Sequence, residues 1–514
     1  MKLMNRLREK MGNPKDRKYF YTVLGAKFLG LGLLFVMYYL TKPYIASKVW
    51  ADEAPATPAA AAPAAAAAAP AAPAAPAAID PAAPYVSPIN TTWVLVTAFL
   101  VFFMQAGFMM LEAGFARSRE TVNVLLEGII DTCLCGLLFW GWGFAWMFGA
   151  GNGFIGNQYY CLHNIPVTYG TTGVPTLAIF LFQFAFADCT STITSGAMVG
   201  RTGFIGDLIY SVVVSGVLYP ILGHWSWGPD GFLNNIHPAA FHDFAGSTVV
   251  HTIGGMIALA GAIVLGPRLG RTFKRDGGGP MPGHDMTIAS LGTIILWFGW
   301  YGFNPGSTLS AMDFVGISRI ATNTTLAAVT GGIVAMFYVY PRNKIWDCGI
   351  TCNGLLAGLV AITCPCYWVS TLGSILIGAG AGVVVVLGTD LLEYLRIDDP
   401  VGAVPVHAFA GIWGTWSLGL FATGAYGAPT STGADNSAGS VVRGLFYGGG
   451  WDQFIAQVKG NAAIGGGAFV GGLILMYAVH YLTGTLRVSK EGELQGLDIH
   501  EHGGSAYPEL TPGA

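Results

Sequence analysis

The chain has 514 residues, 53% of them hydrophobic and only 10% charged, whereas a soluble globular domain carries roughly 25% charged residues. That composition excludes an ordinary soluble domain and requires a helical membrane protein, and the 73 glycines fit close helix packing in lipid. A net charge of −3 without a basic stripe gives no footing for nucleic acid.

Residues 1–18 carry seven Lys and Arg, and a 13-residue apolar run follows from Phe28 to Leu40. Val49-Trp50-Ala51 then offers small residues where a signal peptidase reads. This is the layout of a secretory signal over 1–51, cleaved near Ala51. An uncleaved signal anchor beginning near Tyr19 is the rival reading. Residues 52–89 are dominated by Ala and Pro, which build no core and give a semi-rigid spacer outside the membrane.

The transmembrane domain is expected over 90–485, and a cytoplasmic tail over 486–514. Apolar segments place spans near 90–115, 121–149, 174–199, 204–223, 247–267, 285–306, 317–340, 349–364, 372–395, 403–424 and 462–485. The expected fold is therefore all-α and polytopic, with eleven transmembrane helices. Alternate loops and the tail hold twelve Lys and Arg (Arg117, Arg119, Arg201, Arg268, Arg271, Lys274, Arg275, Arg342, Lys344, Arg396, Arg487 and Lys490), and the opposite loops hold three (Arg319, Arg443 and Lys459). The positive-inside rule then puts the mature N-terminus outside and the C-terminus inside. A cleaved signal would deliver the same side.

One motif occurs twice. Asp243-Phe-Ala-Gly246-Ser-Thr-Val-Val250-His251-Thr-Ile-Gly-Gly255 repeats, 156 residues on, as Asp399-Pro-Val-Gly402-Ala-Val-Pro-Val406-His407-Ala-Phe-Ala-Gly411. The first copy enters the membrane from outside and the second from inside. Each half has an odd number of spans, so the chain reads as two inverted five-helix repeats plus an eleventh helix. Each His lies eight residues past its Asp, about 12 Å along a helix, and the half-thickness of the hydrocarbon is about 15 Å. Both rings thus approach the midplane, where an ionisable group marks function. A satisfied helix–helix hydrogen bond is the plain alternative. A second echo pairs Phe103-x3-Gly107-Phe108 with Phe298-x3-Gly302-Phe303.

Aromatic residues cluster around the same segments: Phe182-Gln183-Phe184-Ala185-Phe186, Trp225-Ser226-Trp227-Gly228, and Trp300-Tyr301-Gly302-Phe303-Asn304-Pro305-Gly306-Ser307. An outer mouth of ring faces and one hydroxyl suits a small cation, although interfacial belts look alike. The eight cysteines, including the pairs Cys133/Cys135, Cys348/Cys352 and Cys364/Cys366, lie in or beside apolar segments without clustered histidines. They are read as small buried hydrophobes or an incidental disulfide, with no metal site.

These segments together resemble the Amt/Mep/Rh ammonium transporter family, in its bacterial Amt branch, over about 90–508. The motifs that carry the resemblance are Ala106-Gly-Phe-Met-Met-Leu-Glu-Ala-Gly114, Asp243-Phe-Ala-Gly-Ser-Thr-Val-Val-His251, Gly302-Phe-Asn-Pro-Gly-Ser307 and Asp398-Asp-Pro-Val-Gly-Ala-Val-Pro-Val-His407. The resemblance implies a homotrimer with one pore per subunit in the cell membrane. It implies an outer ammonium site at Phe182, Trp227 and Ser307, a stacked gate of Phe186 and Phe303, and a pore pair of His251 and His407. It gives Asp243 a structural role needed for conduction. Trp300 and Asp188 are further candidates.

The implied activity is transport of ammonium, or methylammonium as its analogue, with ammonia crossing and its proton carried separately or not at all. No enzyme activity and no cofactor are implied. The tail, with Gly496-Leu-Asp498, His502-Gly503 and Ala506-Tyr507, resembles one that couples subunits and receives a PII-type signal protein. His500 and His502 read as solvated tail residues. Three departures stand out: Gly200 before Arg201 where the family often has Glu-Arg, Asp188 two residues beyond Phe186, and the Ala/Pro spacer. An ammonium sensor or transceptor on this fold and an Rh-like neutral gas channel are the alternatives; Trp227 and Ser307 favour Amt.

Overall fold

The computed structural model describes residues 86–427 and 441–507. The expected signal segment and nearly all of the Ala/Pro spacer lie outside the described residues. Among those described, nine helices are long and apolar enough to cross a membrane. In chain order, α1 is Pro88–Phe115. Helix α2 runs Thr121–Leu138 and continues through a π turn, Phe139–Gly143, into Phe144–Phe148. Helix α3 is Thr176–Gly196, and α4 runs Phe204–Val213, through a π turn Val214–Leu218, into Tyr219–Trp227. Helix α5 starts with a π turn, Ser247–Thr252, and continues as Ile253–Leu265. Helix α6 is Met286–Phe303, followed by a 3-10 turn Pro305–Thr308, and α7 is Phe314–Asn343.

Two shorter apolar segments pack among these: α8, Cys348–Thr363, and α10, a π turn Val404–Phe409 leading into Ala410–Phe421. Helix α9 is Thr371–Leu395. Helix α11 runs Asp452–Ala478 and ends in a π turn Val479–Thr483. The tail adds α12, Lys490–Gln495, and α13, Leu497–His502. Two small hairpins, Gly151–Asn152 with Ile155–Gly156 and Thr168–Tyr169 with Val174–Pro175, are the strands among the described residues.

A helix start inside an apolar medium must satisfy its own free N–H groups. The chain supplies an oxygen at most of these points: Ser87 accepts from Asn90 N, Asp285 from Thr287 N and Ile288 N, Asp313 from Gly316 N, Asp347 from Ile350 N, and Ser370 from Gly373 N. Helix α11 departs most from the sequence expectation, starting at Asp452 instead of near 462. Its first turns carry Gln453, Gln457 and Asn461, which hydropathy reads as loop. Each is buried and paired: Gln453 Nε2 donates to the Ala240 carbonyl at 3.0 Å, Gln457 Nε2 to the His242 carbonyl at 2.7 Å, and Asn461 Nδ2 to Thr248 Oγ1 at 2.8 Å. Helix α4 likewise continues past 223 to Trp227.

The pairing of α1 with α6, the first helices of the two proposed repeats, gives the weak Phe-x3-Gly echo a physical reason. A Cβ on Gly107 would stand 2.8 Å from Leu296 Cγ, and one on Gly302 would stand 2.6 Å from the Thr97 carbonyl oxygen. Gly292 is tighter still, its Cβ position 2.4 Å from Leu111 N. Small residues at a crossing let dispersion act over the whole contact. Gly292→Leu is expected to lower the detergent unfolding midpoint by several degrees, since overpacking costs about 1–3 kcal/mol or more. Gly466→Leu, where a Cβ meets nothing within 4 Å, should leave the midpoint unchanged; equal midpoints in both variants would contradict the packing argument.

Candidate functional site

The two Asp–His motifs fold the same way. Asp243 Oδ1 accepts from Gly246 N and Ser247 N, each at 3.0 Å, and Oδ2 accepts from Thr248 N at 2.8 Å and Val249 N at 2.9 Å. Asp399 Oδ1 accepts from Gly402 N at 2.9 Å and Ala403 N at 3.1 Å, and Oδ2 from Val404 N at 2.8 Å. The second copy has one bond fewer because Pro405, which occupies the place of Val249, has no N–H. The motif glycines bend the chain into these caps, with φ of +114° at Gly246 and +83° at Gly402, a region that only glycine enters cheaply.

Each cap opens a π turn, and each π turn contains the histidine. His251 N donates to the Gly246 carbonyl, five residues back, at 3.0 Å. The π turns place the rings together: His251 Nδ1 and His407 Nδ1 are 3.2 Å apart, with ring centroids 5.2 Å apart. One Nδ1 must carry hydrogen and the other must not, so the pair shares a single proton at this contact. The closing glycines of the motif also act alike. A Cβ on Gly255 would lie 2.3 Å from Ala408 N, and one on Gly411 would lie 2.7 Å from Thr252 Oγ1. Each is four residues past its own histidine and abuts the residue just after the other one.

Aromatic rings continue from the pair. Trp300 and Phe303 stack on His251 at 5.2 and 5.3 Å. Phe303 stacks on Phe186 at 4.0 Å with 25° between planes, and Phe186 meets Phe182 at 4.7 Å and Trp227 at 6.0 Å. Trp227 Nε1 donates to the Asp243 carbonyl at 2.8 Å, so the capping residue also holds the indole. Trp300 Nε1 donates to Thr363 Oγ1 at 2.9 Å. Ser307 Oγ donates to the Phe303 carbonyl at 2.7 Å, and Phe182 lies against Gly306. Phe182, Phe186, Trp227, Asp243, His251, Trp300, Phe303, Ser307 and His407 thus form one continuous file. His251 Nε2 is buried in it without a hydrogen-bond partner.

Asp188 is not in that file. Two residues of helix turn it about 200° from Phe186, and it is buried beside Thr132 and Asp131 of α2. Further buried acids escaped the sequence analysis: Glu112, Glu127, Asp131 and Asp207. Asn123, Glu127 and Asp131 recur every four residues on one buried face of α2, a spacing that would have flagged them. Among the described residues Cys133, Cys135, Cys161, Cys189, Cys348, Cys352 and Cys366 form no disulfide, Cys364 Sγ donates to the His242 carbonyl at 3.2 Å, and no group suited to a metal occurs.

At the end of the bundle where the tail docks, Gly200 explains itself. Its φ is +82°, and the Glu120 carboxylate fills the space of a side chain there, 2.7 Å from the Cβ position. Glu120 is ion-paired with Arg117, whose Nη2 donates to the Gly200 carbonyl at 3.3 Å. Beside it, Asp398 joins three arginines. Arg268 binds it through Nε at 2.8 Å and Nη2 at 3.0 Å, Arg271 Nε lies at 3.2 Å, and Arg201 Nη2 donates to its carbonyl at 2.7 Å. Burial works to raise the Asp398 carboxyl, but the Arg268 hydrogen bonds and the Arg201 charge hold it well below the usual carboxylate range. Burial lowers Arg201 to about 10 despite Asp398. The tail closes over this end: Val488 N donates to the Arg201 carbonyl at 3.1 Å, and Arg487 pairs with Glu493 at 2.8 Å. His502 is not simply solvated, since its Nε2 lies 2.8 Å from Asn123 Oδ1 and its ring packs edge-on against Phe204.

The class is an α-helical, multi-pass membrane protein with an occluded aromatic and histidine-lined interior. The profile of the Ammonium Transporter Family matches residues 92–507, and the chain belongs to that family. Among its relatives, it is 44% identical over 432 residues to the ammonium transporter Amt2 of Archaeoglobus fulgidus, covering 82% of this chain and 89% of that protein. It is 41% identical over 424 residues to a putative ammonium transporter of Synechocystis sp., covering 81% and 88%. Among solved structures, one described as "Sensor Amt Protein" superposes with a TM-score of 0.71 at 33% identity, covering 80% of this chain and 98% of that one. Candida albicans Mep2 gives 0.71 at 27% identity, covering 83% and 93%.

Asp398→Asn removes the negative charge and one of the two acceptor oxygens of a buried arginine cluster and is expected to cost about 3–5 kcal/mol of stability at pH 7. The folded-state carboxyl is depressed, so its contribution is present above the unfolded value of about 3.9 and fades only as pH falls further toward the folded one. The gap in unfolding midpoint between wild type and Asp398→Asn should persist from pH 7 to about pH 4 and narrow below. A gap already closed at pH 5 would contradict the assignment.

Proposed function

We propose that the protein recruits ammonium at Phe182, Trp227 and Ser307, that ammonium loses its proton near the Phe186 and Phe303 rings, and that ammonia passes beside His251 and His407. The observation that carries this reading is the file itself: a ring-lined mouth, two stacked phenylalanines, and two histidines 3.2 Å apart sharing one proton, all buried. Carrying the bare ion through an apolar interior costs several kcal/mol or more, whereas ammonia is neutral. Potassium cannot shed charge and is excluded. His251 Nε2, without a partner, offers the one polar contact such a path needs. Asp243 acts through the backbone, holding the π turn of His251 and the indole of Trp227 in place.

In this reading α8 and α10 also cross, making eleven spans with the tail inside the cell. The signal segment delivers the N-terminus outside, subunits assemble as a homotrimer in the cell membrane, and the docked tail meets a PII-type protein. A sensing role is the second reading, favoured by the likeness to the Sensor Amt Protein.

Proteoliposomes test the proposal through methylammonium uptake with current recorded alongside. Wild type should take up methylammonium without inhibition by excess potassium. Asp243→Ala leaves four backbone N–H groups unpaired and should lower uptake at least tenfold, as should His251→Asp. Binding without uptake in wild type would favour the sensor; uptake unchanged in both variants would sink the assigned path.

A further inference from the structure

Beyond the file described above, one carboxyl stands where the file ends. Glu112, on α1, lines a small cavity, with room for about one water-sized molecule, together with His407, Asn353, Phe108, Leu356 and Val406. The cavity lies beyond the histidine pair from Phe186, toward the end of α1 on which the tail packs. That direction is fixed by Arg119, just past α1, whose Nη1 donates to the Leu494 carbonyl at 2.9 Å.

Glu112 is 4% exposed. Its only recorded carboxylate bond is a long one, 3.5 Å from Ser195 Oγ, at the outer limit for such a contact. Among the described residues no Lys, Arg or His forms an ion pair with it. The charged groups that face it are Glu127, Asp131 and Asp399, all acids. A structural role would give this carboxylate donors, and the chain withholds them. Buried acids in a membrane protein that face a cavity without an internal counter-charge mark the passage of a cation. Asn353 stands in the same wall. Its Nδ2 is spent on the Val401 carbonyl at 3.0 Å, which leaves its amide oxygen as an acceptor. Apart from His407, the remaining named walls are apolar. The cavity thus presents acidic and amide oxygens with no cationic side chain paired to them, and suits a small cation with several N–H donors.

We propose that Glu112 and Asn353 form a second ammonium site, on the tail side of the histidine pair. It rests on the transport reading and deepens it: the cation is held at both ends of the file, by ring faces and a hydroxyl at one end and by a carboxylate and an amide at the other.

The test reads the half-saturating ammonium concentration from each side separately, in vesicles of known protein orientation, by ammonium-driven current or methylammonium flux. Glu112→Gln keeps the shape and an acceptor for Ser195 and removes the charge. It is expected to raise the half-saturating concentration about tenfold when ammonium is supplied from the tail side and to change it less than twofold from the Trp227 side. Glu112→Asp retains the charge with a shorter reach and should show the same one-sided rise, smaller in size; it serves if the Gln variant does not assemble. A folded variant with an unchanged tail-side value, or with equal rises on both sides, overturns the site while leaving the transport reading intact. Wild-type vesicles without flux from either side overturn both.

Discussion

The structure depends on one constraint: backbone N–H groups inside a bilayer must find acceptors within the protein. A π turn at the start of a buried helix frees several of them at once. Asp243 takes four and Asp399 takes three, and this lets irregular backbone exist inside the helix bundle. The irregularity has a use. A regular α-helix and a π turn present their side chains at different angles, and both histidines lie in the π turns. The carboxylates therefore act at a distance, setting the orientation of rings they do not touch. Trp227, bonded to the Asp243 carbonyl, brings the aromatic mouth under the same control.

Much of this was legible in the sequence because the chain states it twice. Asp, Gly, Val, His and Gly recur at one spacing, and four of the five repeated positions have a job: Asp caps, the first Gly takes positive φ, His pairs, and the last Gly admits the other helix. The Phe-x3-Gly echo, weak as a pattern, marks the α1/α6 crossing for the same reason. What the sequence hid was polar burial. Gln453, Gln457 and Asn461 look like loop because hydropathy counts the side chain and not its partner, yet their bonds to the His242 carbonyl and Thr248 extend α11 by about three turns. The buried acids of α1, α2 and α4 were passed over on the same ground, being single charges diluted in apolar runs. Gly200 was legible as a departure but not as an exchange, because its partner Glu120 lies 80 residues earlier and only folding brings the two together.

The tail end of the bundle follows different physics from the histidine pair. There the chain concentrates charge. Asp398, next in sequence to the capping Asp399, is surrounded by Arg201, Arg268 and Arg271, and the tail lays Arg487 and Glu493 over them. Buried ion pairs repay their desolvation only with near-complete hydrogen bonding, and this cluster has it: Arg201 donates to three carbonyls and Arg268 is bidentate. Its position ties the start of α10 to the loop after α5, so the two His-bearing helices are clamped together at one end as well as paired in the middle. A short run of bonds therefore joins the docked tail to the cap before His407, from Val488 to Arg201 to Asp398, and then along the chain to Asp399.

The two copies of the motif are alike in fold and unlike in surroundings, and the difference has a physical consequence. His251 is enclosed by Trp300, Phe303 and the aromatic stack beyond them, whereas His407 borders a cavity that also holds a carboxyl. The first ring sits among aromatic rings, and the second beside a cavity with acidic and amide oxygens in its wall. A near-symmetric pair would pass a neutral molecule equally well in both directions. Placed between such different ends, the same pair separates a stack of aromatic rings from a cavity walled by a carboxyl and an amide, so the asymmetry of the protein resides in what flanks the repeat and not in the repeat itself.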